Sequence, residues 1–221
     1  MKVFAIVPVK PFESAKSRLG TLLNKYERER LSKLLLKRTV SVLKRSSRIS
    51  AIVLVSPDLG VEKIAHMHGV TFLKERLQDG VNSAVKLAEK YCSQAGAEAT
   101  LVLPLDLPLL LPEDIDTVCN VALTTASCII LCPSYKLDGS NLMLRKPSNI
   151  IQTSYDSNSY IMHALEGARK NIKTSILFIR RVMVDIDTKQ DITEFLTSNE
   201  ADEQIALYLK GILDKKGLYI A

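Results

Sequence analysis

Two apolar periods alternate along this chain. Compact runs of aliphatic residues at 2–9 (KVFAIVPV), 51–56 (AIVLVS), 70–73 (VTFL) and 100–105 (TLVLPL) read as buried strands. Between them the apolar spacing lengthens to that of a helix. One helical pattern runs from about Tyr26 to Ser46, with Leu31, Leu34, Leu35, Val42 and Leu43 on its inner side. Others lie near 60–68, from about Val81 to Gln94, and over 112–123. In the last, Pro112, Glu113 and Asp114 stand in the first turn, where a helix start favours proline and acids. This alternation predicts an α/β fold with a mainly parallel, doubly wound sheet and helices on both faces.

The second half changes pattern. Strands at 126–134 and 140–146 flank a turn containing Asp138 and Gly139, a helix covers roughly 158–170, and 175–187 (SILFIRRVMVDID) is strand-like. Two helices follow, near 189–197 and 202–214. The expectation is a smaller, partly antiparallel lobe on the α/β core, within a single domain over 1–221. No repeat, low-complexity tract or linker divides the chain.

Composition is that of an ordinary globular protein, 47% hydrophobic and 24% charged. The apolar run from Val3 to Val9 is too short to span a bilayer, so a soluble, cytoplasmic protein without membrane contact is expected. Cys92, Cys119, Cys128 and Cys132 form no CxxC pair and read as reduced core thiols. The formal net charge of +6 is concentrated at the front. Residues 1–48 hold 13 Lys and Arg against Glu13, Glu27 and Glu29. Arg30, Lys33, Lys37 and Lys44 recur at helical spacing, as a solvated face would. Lys10, Lys16 and Arg18 precede that helix and suggest an anionic partner. Aromatics are only 5% and no base-reading module is present, which speaks against nucleic acid.

In open α/β sheets ligands bind beyond the carboxyl ends of the strands. After the first strand come Lys10, Lys16, Ser17 and Arg18, a set able to neutralise phosphates or simply an exposed basic loop. After the fourth comes Asp106 in LPLDLPLL, between Pro104 and Pro108. A buried carboxylate without a partner is costly, so Asp106 either reaches solvent in a turn or meets a cation. In VMVDIDT, alternation puts Asp185 and Asp187 on one face. Two close carboxylates favour a hard divalent ion, Mg²⁺ above all. Thr188 with Asp191 also fits a helix capping box. Ser140 and Asn141 after Asp138–Gly139 form a hydroxyl and amide hook for an anion, or only a hairpin turn. Ser159 stands near a helix start, where Asn158 competes as a plain N-cap. His163 reads as a packed histidine, and His66 and His68 as surface residues. Ile205, Leu209, Ile212 and Leu213, with the tail GLYIA, could serve a homodimer contact.

Six motifs in order, VPVKPFESAKSRL, DGVNSAV, LPLDLPLL, LDGSNLML, the SxxxH helix start and VDIDT, resemble the 2-phospho-L-lactate guanylyltransferase family over residues 2–192. That family is GT-A-like and similar in fold to the molybdenum-cofactor nucleotidylyltransferases. The resemblance implies joining of GMP from GTP to (2S)-2-phospholactate, with release of pyrophosphate, on the way to coenzyme F-420. Relatives use phosphoenolpyruvate or 3-phosphoglycerate. It implies Mg²⁺ on Asp106, Asp185 and Asp187, and phosphate contact by Lys16 with Lys10 and Arg18 nearby. Gln78, Gly80, Asn82 and Ser83 would lie near the nucleoside, and Ser140, Asn141 and Ser159 at the acceptor. Residues 1–125 would then be the nucleotide part, and 126–221 the acceptor part with the C-terminal helices. The family usually has Thr at Ser140, Gly at Asp156 and Pro at Lys189.

Overall fold

A computed structural model describes residues 1–76 and 79–218. The strands are β1 (Val3–Pro8), β2 (Ile49–Ser56), β3 (Thr71–Lys74), β4 (Ala99–Val102), β5 (Cys128–Pro133), β6 (Ser140–Lys146) and β7 (Thr174–Ile176). The helices are α1 (Lys25–Arg45), α2 (Leu59–His68), α3 (Gly80–Gln94), α4 (Pro112–Leu123), α5 (Ser159–Arg169), α6 (Arg180–Met183), α7 (Lys189–Thr197) and α8 (Glu203–Lys215). One seven-stranded sheet runs in the order β3-β2-β1-β4-β6-β5-β7. Among the described strands only β6 is antiparallel to its neighbours, pairing Leu101 with Leu144 on one side and Ile130 with Leu144 on the other. The antiparallel part thus continues the same sheet.

Side-chain alternation divides the core into two faces. Val3, Ala5 and Val7 of β1 join the larger cluster with residues of α1, α2, α4, α7 and α8. Phe4 and Ile6 point the other way, to Ala84, Val85 and Ala88 of α3. Under α5, Ile129, Leu131 and Met143 form a third cluster. All four cysteines are free and buried. Burial, the largest influence, pushes the thiols of Cys92, Cys119 and Cys132 up to about 12, so they are inert at neutral pH. No described helix is long and apolar enough to cross a membrane.

Three expectations are corrected. Strand β4 ends at Val102 rather than 105, because Pro104 has no N–H for the ladder and the chain leaves the sheet. The stretch 175–187 is not one strand. β7 stops at Ile176, α6 makes a single turn, and only irregular extended chain carries Asp185 and Asp187. Finally, Ile205, Leu209, Ile212 and Leu213 are not offered to a second copy. They are buried in the protein's own core, where α8 packs against α1 and α7. Residues 219–221 of the tail lie outside the described residues.

Candidate active site

The carboxyl ends of β1 and β4 open into a cavity of about 330 Å³, lined by Lys16, Asp106, Asp185 and Asp187 on one side and by Ser140, Asn141 and Ser159 on another. Each residue is delivered by a distinct local device. After β4, the loop carrying Asp106 is fastened to α1. The Thr39 hydroxyl donates to the Leu105 carbonyl at 3.0 Å, and the Arg38 guanidinium to the Leu110 carbonyl at 2.8 Å. Leu107 is buried away from the cavity and Leu105 lends it an apolar wall, so Asp106 is the charged group this loop presents there.

The Asp185 segment is stitched to that loop. The Ile186 N–H donates to the Asp106 carbonyl at 3.1 Å. Val184 and Ile186 are buried, which leaves Asp185 and Asp187 facing the cavity although no strand is formed. Upstream, Arg181 forks onto the buried carboxylate of Asp114 at 2.7 and 2.9 Å. Asp114 in turn accepts from the Leu111 N–H at the start of α4. Downstream, Thr188 and Asp191 make the expected capping box of α7, and Asp191 also accepts from the Asp187 N–H at 2.8 Å.

Lys16 sits in the left-handed region, φ 55° and ψ 37°. For a residue with a β-carbon this conformation costs on the order of 1–2 kcal/mol. It turns the side chain inward, and its ammonium lies 2.5 Å from Asp106 Oδ2 and 2.9 Å from Asp187 Oδ1. Only 5% of the side chain is exposed. Burial opposes its charge, but Asp106 and Asp187 together outweigh that, so its pKa stays above the ordinary lysine value. Arg18, mostly exposed, reaches the other oxygen of Asp187 at 3.2 Å. The loop itself is anchored by Asp58, which accepts from the Phe12 N–H at 2.8 Å while capping α2.

Asp185 has no ion-pair partner among the described residues. Burial first, then the charges of Asp106 and Asp187, push its carboxyl up to about 6, with Lys16 pulling the other way. Three converging carboxylates, one unpaired, form an oxygen-only donor set that suits a hard divalent cation. Among the described residues no three acidic, histidine or cysteine side chains are already drawn together as a metal cage. The Lys16 ammonium stands between Asp106 and Asp187.

On the facing side, Ser140 and Ser159 are 9% and 4% exposed and bonded to each other: the Ser140 N–H donates to Ser159 Oγ at 2.8 Å. Asn158 adopts φ 48° and its side chain makes no cap, so the first-turn N–H groups of α5 lack the side-chain partner the N-cap reading expected. Asn141 lines the cavity, but its amide nitrogen donates to the carbonyls of Val182 and Met183, bracing the segment before Asp185. The Asp138–Gly139 turn is tied through Ser134, whose hydroxyl bonds Asp138 and accepts from the Gly139 N–H.

The residues assigned to the nucleoside are more scattered. Lys10 is exposed and lines both the main cavity and a recess of about 40 Å³ shared with Gly80 and Val81. Gly80 has φ 84°, a conformation that keeps a glycine at the start of α3. Asn82 and Ser83 line neither space. Asn82 bridges to the 154–156 segment, and Ser83 donates to Asp79. Gln78 lies outside the described residues. Sequence reasoning missed Tyr155, a wall of the cavity, and the Arg181–Asp114 fork. The second had a signal, since an acid in a helix first turn and a downstream arginine pair are both visible, but their meeting is a matter of topology.

Residues 1–213 match the family model described as guanylyl transferase CofC like. A phosphoenolpyruvate guanylyltransferase of Rubrobacter xylanophilus is 31% identical over 90% of this chain and 95% of its own length. A 2-phospho-L-lactate guanylyltransferase of Methanocaldococcus vulcanius is 31% identical over 99% and 93%. Among solved structures, CMP:2-keto-3-deoxy-manno-octonic acid synthetase complexed with CTP superposes with a TM-score of 0.61 at 11% identity, over 88% of this chain and 96% of the other. That likeness concerns the fold.

Proposed function

The chain belongs to the CofC-like guanylyl transferase family, and on that premise we propose that it transfers GMP from GTP to the phosphate of 2-phospho-L-lactate, releasing pyrophosphate. The observation that carries this reading is the single cavity in which a cationic and carboxylate wall faces two buried serine hydroxyls. A nucleotide triphosphate and a small phosphorylated acid are both anions, and bringing them together is the main obstacle. Lys16, Lys10 and Arg18 offset the triphosphate charge at the end of β1. Ser140, Ser159 and the start of α5 hold the acceptor phosphate by hydrogen bonds and the helix dipole.

The acceptor oxygen then attacks the α-phosphorus in line, the bond to the bridging oxygen breaks, and its electrons leave with pyrophosphate. A phosphate oxygen is already ionised at pH 7, so no general base is needed. His163 is fully buried with both ring nitrogens already hydrogen-bonded, to Ser140 and to the Ser154 N–H, so it is not placed to take a proton from the acceptor. Positioning and charge neutralisation supply most of the rate. Asp106, Asp185 and Asp187 would hold Mg²⁺, whose contribution is to neutralise charge on the phosphate oxygens. Residues 1–125 serve the nucleotide, and 126–221 the acceptor, in this reading.

A second reading has phosphoenolpyruvate as acceptor, favoured by the Rubrobacter relative that carries that name. The test is pyrophosphate release with four nucleoside triphosphates against 2-phospholactate, phosphoenolpyruvate and 3-phosphoglycerate. Turnover should require GTP, 2-phospholactate and Mg²⁺ together. Equal turnover with ATP, CTP or UTP would remove the guanylyl assignment, and clearly better turnover with phosphoenolpyruvate would replace the acceptor.

A further inference from the structure

His163 is fully buried behind Ser140, with Ser140 Oγ at 3.0 Å from Nδ1. Which of the two donates is decided at the far side of the ring. The backbone N–H of Ser154 donates to Nε2 at 2.9 Å. A main-chain N–H has no other role available, so Nε2 carries the lone pair and Nδ1 carries the proton. The imidazole therefore donates to Ser140. Burial, followed by the charge of Arg145, lowers the pKa of His163 to about 4, which agrees with a ring that stays neutral.

The consequence passes to the cavity. With one lone pair of Ser140 Oγ taken by His163, the hydroxyl proton has no acceptor among the described residues. Ser159 Oγ is in the same condition, since it accepts from the Ser140 N–H. Both serines line the cavity. We propose that His163 is a positioning residue which fixes Ser140 as a hydrogen-bond donor, so that Ser140 and Ser159 together present two protons to a fully ionised oxyanion, the phosphoryl group of the acceptor. A ligand group that can only donate, such as an ammonium, is disfavoured there.

The same ring is tied to the other wall. Tyr155 packs edge-on against it at 4.9 Å between centroids. The Tyr155 N–H donates to Asn82 Oδ1 at 2.9 Å, and Asn82 Nδ2 donates to Asp156 at 3.1 Å. Ser154, Tyr155 and Asp156 thus form a short strap from the first turn of α3 to the imidazole. His163 is set by this strap and not by its own helix alone.

The proposal rests on the guanylyl transfer reading for its kinetic arm only. His163→Gln keeps an acceptor near the Ser154 N–H but loses the donor to Ser140. It should raise the acceptor KM about tenfold, the weight of one hydrogen bond, with the GTP KM within about twofold of wild type. His163→Asn, which places an amide donor near Nδ1, should recover most of that loss. The double variant His163→Gln/Ser140→Ala should be no worse than Ser140→Ala alone. Equal changes in both KM values, or additive losses in the double variant, would overturn the proposal. The second arm needs no turnover. Nitrogen-15 NMR of the wild-type imidazole should report the Nδ1–H tautomer at pH 7, and inorganic phosphate should shift that signal in wild type but not in Ser140→Ala. An Nε2–H tautomer, or no response to phosphate, overturns it. If no phosphorylated acceptor supports turnover, the functional reading fails while this arm still decides the role of His163.

Discussion

Replacing Lys16 by Met tests the centre of the site without any substrate. The substitution keeps the unbranched stem and the left-handed backbone of Lys16, so the backbone strain is common to both proteins. What disappears is the one ammonium between Asp106 and Asp187. Removing one partner from a fully buried ion pair costs about 3–5 kcal/mol, because the other charge is left without compensation. Asp106 and Asp187 keep 21% and 30% of their side-chain exposure, so water recovers part of this. The lower end, about 3 kcal/mol, is expected, equivalent to a fall in Tm of about 6–12 °C for a domain of this size.

The pH dependence gives the sign. Lys16 has a pKa raised above 10.5, so its stabilisation is complete below that value and is lost only as pH climbs through the folded pKa. The deficit of the variant is therefore largest near pH 8. In the variant Asp185 faces Asp106 and Asp187 without the ammonium that opposes their repulsion, so its carboxyl, already raised by burial and by those two charges, is pushed further up. The folded protein then binds more protons, and its deficit shrinks as pH falls from 8 to 5. Added Mg²⁺ should raise the Tm of the variant more than that of wild type, where the ammonium competes for Asp106 and Asp187. The assay is a set of thermal melts in chelator and in Mg²⁺ across this pH range. A variant melting within about 1 °C of wild type at pH 8, with no pH trend, would mean that the ammonium and the carboxylates do not depend on each other.

Three further outcomes are expected. Wild-type stability should contain a component from His163 that is full above about pH 6.5 and falls as pH drops towards about 4, since the unfolded chain binds the proton first; it amounts to about 3 kcal/mol and should be missing from the slope of His163→Asn in urea melts. Gly167→Ala should cost about 1–3 kcal/mol in the same melts, because a β-carbon there would stand 2.3 Å from Thr174 Oγ1 and 3.0 Å from Ile129 and lift α5 off the sheet; an unchanged midpoint would contradict the close approach. Asp106→Asn should lower turnover by orders of magnitude and, without metal, destabilise by about 1–3 kcal/mol through weaker bonding to Lys16, and near-normal pyrophosphate release would leave Asp106 a turn residue.

The last of these differs from what the sequence alone suggests. Read as a string, Asp106, Asp185 and Asp187 look like three repelling charges that would gain by losing one. The partner that reverses the sign is 90 positions away from Asp106 and 171 from Asp187. Local pattern has no access to such a pairing. It finds that Lys16 is basic and follows a strand, but the left-handed turn that aims it inward has no glycine or asparagine to announce it. What local pattern does carry is most of what has a period. The order of strands and helices through α4, the Pro112 start of α4 and the Thr188–Asp191 box depend on neighbours within four residues, and these appear as read, apart from the early end of β4.

The stretch 175–187 marks the boundary between these two kinds of information. Its apolar spacing resembles a strand throughout, yet β7 has only three residues. What interrupts it is Arg181, which turns to meet Asp114 on α4, and Asn141, which holds the Val182 and Met183 carbonyls. Beyond this break the alternation of Val184, Asp185, Ile186 and Asp187 still sorts apolar from acidic side chains, now because the Ile186 N–H bonds the Asp106 carbonyl in place of a neighbouring strand. The face prediction survives the loss of the element that justified it, since alternation in extended chain needs backbone dihedrals and not a ladder. His163 is the converse case. A histidine on an apolar helix face reads as packing, and packed it is, at 0% exposure. Its two nitrogens nevertheless decide the direction of a hydrogen bond at the cavity wall, and that direction is set by Ser154, which only the folded chain brings to the ring.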